Sequence, residues 1–257
     1  MTKISEQILI TLLAAHFIGD FVFQTKRSIE NKKNIKVFLS HVLINALLSY
    51  VLTGLWNIWI LPAVIFVTHA SADLVKIKIK RDSIGIFLTD QGFHLFVIFL
   101  LTFYLTNFSQ SEFAVTRASS IFDGNIYCVE IFGEIYLKIL IMIISIIVST
   151  KVSGIIIGYL LKPFQPDTVK INRTKEKINE ENNVEIKAGR MIGYLERLII
   201  LILYLSNSAI GIGFLITAKS ILRFGEIKEG NNDKIKQQIE YVLIGTFMSF
   251  ALGISAG

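Results

Sequence analysis

The four histidines of the chain, His16, His41, His69 and His94, all fall within its first hundred residues, each inside an apolar stretch. Each has a carboxylate or amide one helical turn away. The strings are H-F-I-G-D (His16, Asp20), H-V-L-I-N (His41, Asn45), H-A-S-A-D (His69, Asp73) and D-Q-G-F-H (Asp90, His94). Residues four apart share one face of an α-helix, so each helix would offer two polar side chains to a common interior. Imidazoles and carboxylates are N/O ligands suited to Zn²⁺, Mn²⁺ or Fe²⁺ rather than to a soft thiolate site. The set exceeds what one tetrahedral zinc requires, which predicts about one or two divalent ions, Zn²⁺ first among them. The expected ligands are His16, Asp20, His41, His69, Asp73 and His94. Asp90 precedes its histidine by one turn, whereas Asp20 and Asp73 follow theirs, and it is the expected catalytic base. Gln24, Asn45 and Gln91 are expected to orient ligands or substrate through hydrogen bonds. A proton relay and plain interhelical packing are the two competing roles for such a cluster.

The elements that must carry these residues are membrane helices. Hydrophobic residues make up 53% of the 257-residue chain, and the mean hydropathy is +0.59. Apolar runs near twenty residues recur, the length an α-helix needs to cross roughly 30 Å of hydrocarbon. The fold class expected is therefore all-α, a polytopic membrane helical bundle. Cys128 is the lone cysteine, which excludes an intrachain disulfide and any cysteine metal cluster. The net charge of +6 is not a nucleic-acid signal, because the basic residues sit in short loops beside the apolar runs. The N-terminus lacks the basic stretch and small-residue cleavage site of a signal peptide, so the first helix is expected to be retained.

Spans are expected at about 6–24, 37–55, 57–75, 86–106, 135–161 and 238–255. Residues 1–106 form a four-helix His/Asp core and 107–133 an external loop. Residues 134–161 form a fifth membrane helix, 162–190 a cytoplasmic polar loop, and 191–257 a C-terminal membrane module. The loop 26–36 holds five Lys/Arg against Glu30, and the loop 76–82 holds four against Asp82. Both are cytoplasmic by the positive-inside rule. All the His and Asp groups then lie roughly 5–18 Å from the cytoplasmic ends of their helices, at 1.5 Å per residue. Scattered polar residues would have no reason to share a depth.

The stretch 191–224 breaks the alternation. Asn207, Ser208, Gly211 and Gly213 interrupt its middle, and a single crossing would put Lys219, Arg223 and the lysines after them outside, against the charge rule. Two half-length helices, about 191–206 and 209–224, forming a re-entrant hairpin are the expectation; a plain seventh span is the alternative. Glu196 could pair there with Lys219 or Arg223. Candidate contacts to an anionic headgroup are Lys76, Arg81, Arg197, Lys219 and Arg223.

H-F-I-G-D-F-V-F-Q, followed by S-H-V-L, T-H-A-S-A-D and D-Q-G-F-H, resembles the bacterial membrane family known as domain of unknown function 3307. The resemblance covers about residues 8–105 and falls on His16, Asp20, Gln24, His41, His69, Asp73, Asp90, Gln91 and His94. The C-terminal strings G-R-M-I-G-Y-L-E-R, A-K-S-I-L-R-F and E-Y-V-L-I-G-T resemble those of longer members. The family implies no activity. A looser likeness to inner-membrane metal-dependent hydrolases is one of fold. The expected function is metal-dependent hydrolysis of a membrane lipid or lipid-linked phosphate or ester, reached from the cytoplasmic leaflet of a bacterial inner membrane. A divalent-cation or proton transporter is the first alternative. A signalling or scaffold protein is the second, with a homo-oligomer or a soluble partner at 162–190 as expected associations.

Overall fold

Leu-, Ile-, Val- and Phe-rich runs wind into helix over most of the described residues. The computed structural model describes residues 3–25, 28–29, 31, 34–79, 83–109, 121–122, 125–164, 180–229 and 233–255. The chain divides into two units, Met1–Ile147 and Val148–Gly257. In the first, α1 (Lys3–Ile18) runs into a π-helical segment at Gly19–Phe23. Then come α2 (Ile35–Thr53), α3 (Ile60–Lys78) and α4 (Ile84–Ser109). The Asn34 side chain caps α2 by accepting from the Lys36 N–H at 3.0 Å. Gly54 closes that helix in the left-handed region (φ 67°), where a Cβ would also strike Cys128. Pro62 sits in the first turn of α3, where its missing N–H removes no intrahelical bond.

These four helices close a ring: α1 packs on α2 and α4, α2 on α3, and α3 on α4. Ile8, Leu12, Leu61 and Leu105 fill one end of its interior. The outward faces are apolar as well. Leu39, Leu43, Leu47 and Val51 form an exposed stripe on α2, and Phe96, Phe99 and Phe103 do so on α4. Water-soluble domains do not expose patches of this extent. Among the described residues, five helices are long and apolar enough to cross a membrane, at Lys3–Phe23, Ile35–Thr53, Ile60–Lys78, Ile84–Asn107 and Glu134–Phe164. The interior is the polar side of the ring. Apolar outward faces around a polar interior are the arrangement of a membrane protein.

The segment expected as an external loop is more ordered than its composition suggested. α4 continues to Ser109, and β1 (Ile121–Phe122) pairs antiparallel with β2 (Asn125–Ile126). α5 (Tyr127–Phe132) then leads to α6 (Glu134–Ile147), which packs on α1. Ile126 and Val129 are buried, and the Ile126 N–H donates to Gln7 Oε1 at 2.9 Å. Tyr136 donates its hydroxyl to the Leu52 carbonyl at 2.6 Å. Two apolar anchors and two hydrogen bonds hold Ile126–Tyr136 against the bundle.

The second unit opens with a π-helical segment at Val148–Val152, followed by α7 (Ser153–Leu161) and a 3₁₀ turn at Lys162–Phe164. It continues with α8 (Glu180–Leu205), α9 (Ala209–Glu229) and α10 (Asp233–Ser255). α8 begins at Glu180, so part of the expected polar loop is helical. The helix break falls at the expected place. Ser206–Ser208 turns the chain, with Asn207 left-handed (φ 54°), a conformation that Asn tolerates better than most residues.

Candidate metal centre

Apolar helices bury their polar residues only where neighbours can satisfy them. In the ring, His16 of α1, His41 and Asn45 of α2, His69 and Asp73 of α3, and His94 of α4 are all at most 5% exposed. The i, i+4 spacing read from the sequence aims each pair inward. His41 and His69 meet with their Nε2 atoms 3.1 Å apart. His69 and His94 stack with ring centroids 4.3 Å apart, and His16 and His94 lie 5.1 Å apart.

Two groupings have ligand atoms within 4.8 Å of one another: His16, His69 and His94, and Asp20, His41 and His69. His69 belongs to both. Asp20 Oδ1 lies 3.4 Å from His69 Nε2 and 3.5 Å from His41 Nε2, and Asp20 Oδ2 lies 3.7 Å from His16 Nδ1. Asp73 Oδ2 stands 3.5 Å from His41 Nε2 and 4.0 Å from His69 Nε2. Imidazole and carboxylate at these separations are a donor set for a borderline divalent ion. The residues fit such an ion in a further respect. A void of about 20 Å³ adjoins His16, Asn45, His69 and His94, room for about one water or ion.

Asp20 reaches this layer from the π-helical segment rather than from the α-helical turn expected. The wider winding of Gly19–Phe23 is a local change of a kind frequent at functional sites. Gly19 is required here, because a Cβ would overlap the Asn45 carboxamide. That amide donates to Asp20 Oδ1 at 3.1 Å and faces His69 Nε2 at 3.3 Å, while its buried Oδ1 has no hydrogen-bond partner. The glycine inside H-F-I-G-D was the available signal for this close approach; it was not read as a site residue.

The outer partners complete the cluster. Gln24 donates to His41 Nε2 at 3.0 Å, and Gln91 Oε1 lies 3.2 Å from His16 Nε2. Gln91 also donates to Asp90 Oδ2 at 3.3 Å. Asp90 Oδ1 stands 3.7 Å from His94 Nε2, and its Oδ2 is paired with Lys76 at 2.5 Å. Metal-ligating histidines are held in this way by amides and carboxylates behind them. Asp90 and Lys76 also line a cavity of about 590 Å³ between the end of α3 and the start of α4.

The remaining expected residues are Arg81, Arg197, Lys219 and Arg223. Arg81 lies outside the described residues. Arg197 and Lys219 belong to the second unit, and Arg223 stands on α9 with its side chain outside the described residues. Lys219 pairs with Glu196 at 2.5 Å, one of the two pairings the sequence offered. Arg197 is buried and donates to Ser249 Oγ at 3.2 Å and to the Thr150 carbonyl of the π-helical segment at 3.3 Å. Its guanidinium lies 5.5 Å from the Tyr194 ring.

Residues 8–122 match the family model described as "Protein of unknown function (DUF3307)". No curated protein and no solved structure matches the chain.

Proposed function

Residues 8–122 are thus a domain of the DUF3307 family, and we propose that this domain is a membrane-embedded, metal-dependent hydrolase. Its substrate is a lipid or lipid-linked phosphate or ester, reached from the cytoplasmic leaflet of a bacterial inner membrane. The observation that carries the reading is the position of Asp90, which spans from His94 to the wall of the apolar cavity. The ligands are His16, His69 and His94 with Asp20, His41 and Asp73, and Zn²⁺ suits them first, ahead of Mn²⁺ and Fe²⁺. A divalent ion there supplies Lewis-acid polarisation of a phosphoryl or carboxyl oxygen. Asp90 takes a proton from the attacking water, and Gln91 holds its carboxylate in line. Gln24 and Gln91 fix the ring orientations of His41 and His16. Loops 26–36, 76–82 and 162–190 face the cytoplasm, and α8 and α9 enter and leave from that side; the turn at Ser206–Ser208 and the short apolar run Ala209–Ile221 support this.

Asp90→Asn is the deciding variant. It should keep its bound metal by elemental analysis yet lose turnover of lipid phosphates and esters in a mass-spectrometric screen. Parallel loss of metal and activity would make Asp90 a ligand and remove it as base.

A second reading, a divalent-cation or proton transporter, is favoured by one feature. Buried Ser49, Thr53, Thr102 and Thr106 continue the faces of Asn45 and His94 away from the cluster. Each hydroxyl donates to the carbonyl one turn earlier, so the two faces carry a polar line through apolar helices. Uptake of Zn²⁺ or Mn²⁺ into proteoliposomes, with no turnover by the wild type in the screen, would decide for it. A scaffold role would rest on 162–190, most of which lies outside the described residues.

A further inference from the structure

The cavity between α3 and α4 has a distinctive wall. Val75, Ile79, Ile86 and Phe93 make most of it apolar, and Lys76 and Asp90 are its charged pair. Its volume of about 590 Å³ falls within the range of small-molecule sites, roughly 300–1,000 Å³. The two charges are not equivalent. The Asp90 side chain is 7% exposed and turned toward His94, whereas Lys76 is 38% exposed. A ligand arriving from outside the ring therefore meets a cation over an apolar slot, with a buried carboxylate behind it.

We propose that this cavity is the substrate seat and that the substrate is a single-chain amphiphile with a phosphate head. The chain lies against Val75, Ile79, Ile86 and Phe93. The head takes Lys76 from Asp90, since a lysine ammonium binds phosphate as a point charge. Asp90 is thereby left to Gln91 and His94. This rests on the hydrolase reading for the fate of the head, but the seat is tested without it.

The probe is an oleoyl glycerol phosphate bearing a diazirine on its chain, photolysed with the detergent-solubilised full chain, and the crosslinks are mapped by mass spectrometry. Crosslinks should fall on α3 and α4 around Val75, Ile79, Ile86 and Phe93. The same chain with an alcohol head should label about tenfold less, the worth of one charge-assisted contact. Lys76→Met should lower capture by a similar factor, and Asp90→Asn, which removes the competing carboxylate, should raise it. An ion pair that served only structure would make the two variants behave alike, which overturns the proposal. Val75→Trp, at a 57% exposed position on the wall, should block labelling without disturbing the fold. Labelling that survives Val75→Trp, or that inorganic phosphate displaces as well as the lipid does, also overturns it. Bound metal without crosslinks on α3 and α4 removes the seat and leaves the metal centre. Crosslinks there without stoichiometric metal keep the seat and remove the hydrolase.

Discussion

Both units bury a polar cluster beside a π-helical segment, yet the two clusters are built in opposite senses. In Met1–Ile147 four helices aim imidazole and carboxylate acceptors at one another around a small void. In Val148–Gly257 a single cation, Arg197, fans its donors outward to Ser249 and to the Thr150 carbonyl. Convergent acceptors repel and leave a place for a cation. The divergent cation places one terminal nitrogen on a hydroxyl and the other on a backbone carbonyl, while its Nε is buried without a partner among the described residues. The π-helical winding is common to both and so does not itself mark a binding site. The direction in which the polar groups point does.

The largest effect expected is at the residue shared by both groupings. His69→Ala should strip the ion and the stabilisation it confers, about 4 kcal/mol where the free ion stands a thousandfold above its dissociation constant. Elemental analysis and melting with and without chelator measure this. Wild-type protein that holds no metal and melts unchanged in chelator would erase the contrast between the units. Next comes Arg197→Met, which removes two hydrogen bonds and leaves the Thr150 carbonyl short of a partner it now has. About 2–3 kcal/mol should be lost with metal content unchanged. A fall in metal content would mean that the two clusters are coupled. Gly19→Ala should cost about 1–3 kcal/mol by forcing Asn45 aside, and it should weaken metal binding as well. Loss of stability alone would show that Asn45 only packs. The smallest effect is expected at Asn207→Gly, within about 0.5 kcal/mol of wild type, because glycine takes the left-handed turn as readily.

The gathering of the His and Asp side chains was legible because helical geometry is local: a residue and its neighbour four on share a face whatever the surroundings. The shared depth of His16, His41, His69 and His94 followed from the loop charges alone. The break near Asn207 was legible for a similar reason, since Asn, Ser and Gly cluster there. The Glu196–Lys219 pair was among those the sequence offered, but the pairing of Lys76 with Asp90 was not. The sequence offered Lys76 as a headgroup contact and Asp90 as a base, with nothing to say that α3 and α4 would join them. Nor does a sequence announce the π-helical winding at Gly19–Phe23, which arises from how α1 must meet α2. Arg197 read as one more basic residue near a membrane face. Only the fold shows it buried among Ser249, Thr150 and Tyr194.

Cys128 has a practical bearing that its chemistry alone would not suggest. It is 7% exposed, its Sγ sits 3.7 Å from the Val51 carbonyl, and burial raises the pKa of its thiol. Thiol reagents attack the exposed thiolate, and this sulfur offers neither exposure nor charge. The native chain is therefore a silent background for site-directed probes. A spin label, a fluorophore or an impermeant maleimide can be placed at one introduced cysteine, and its signal will report that position alone. The sidedness of every loop, and distances across the ring as metal is added or withdrawn, become readable without first engineering the natural thiol away.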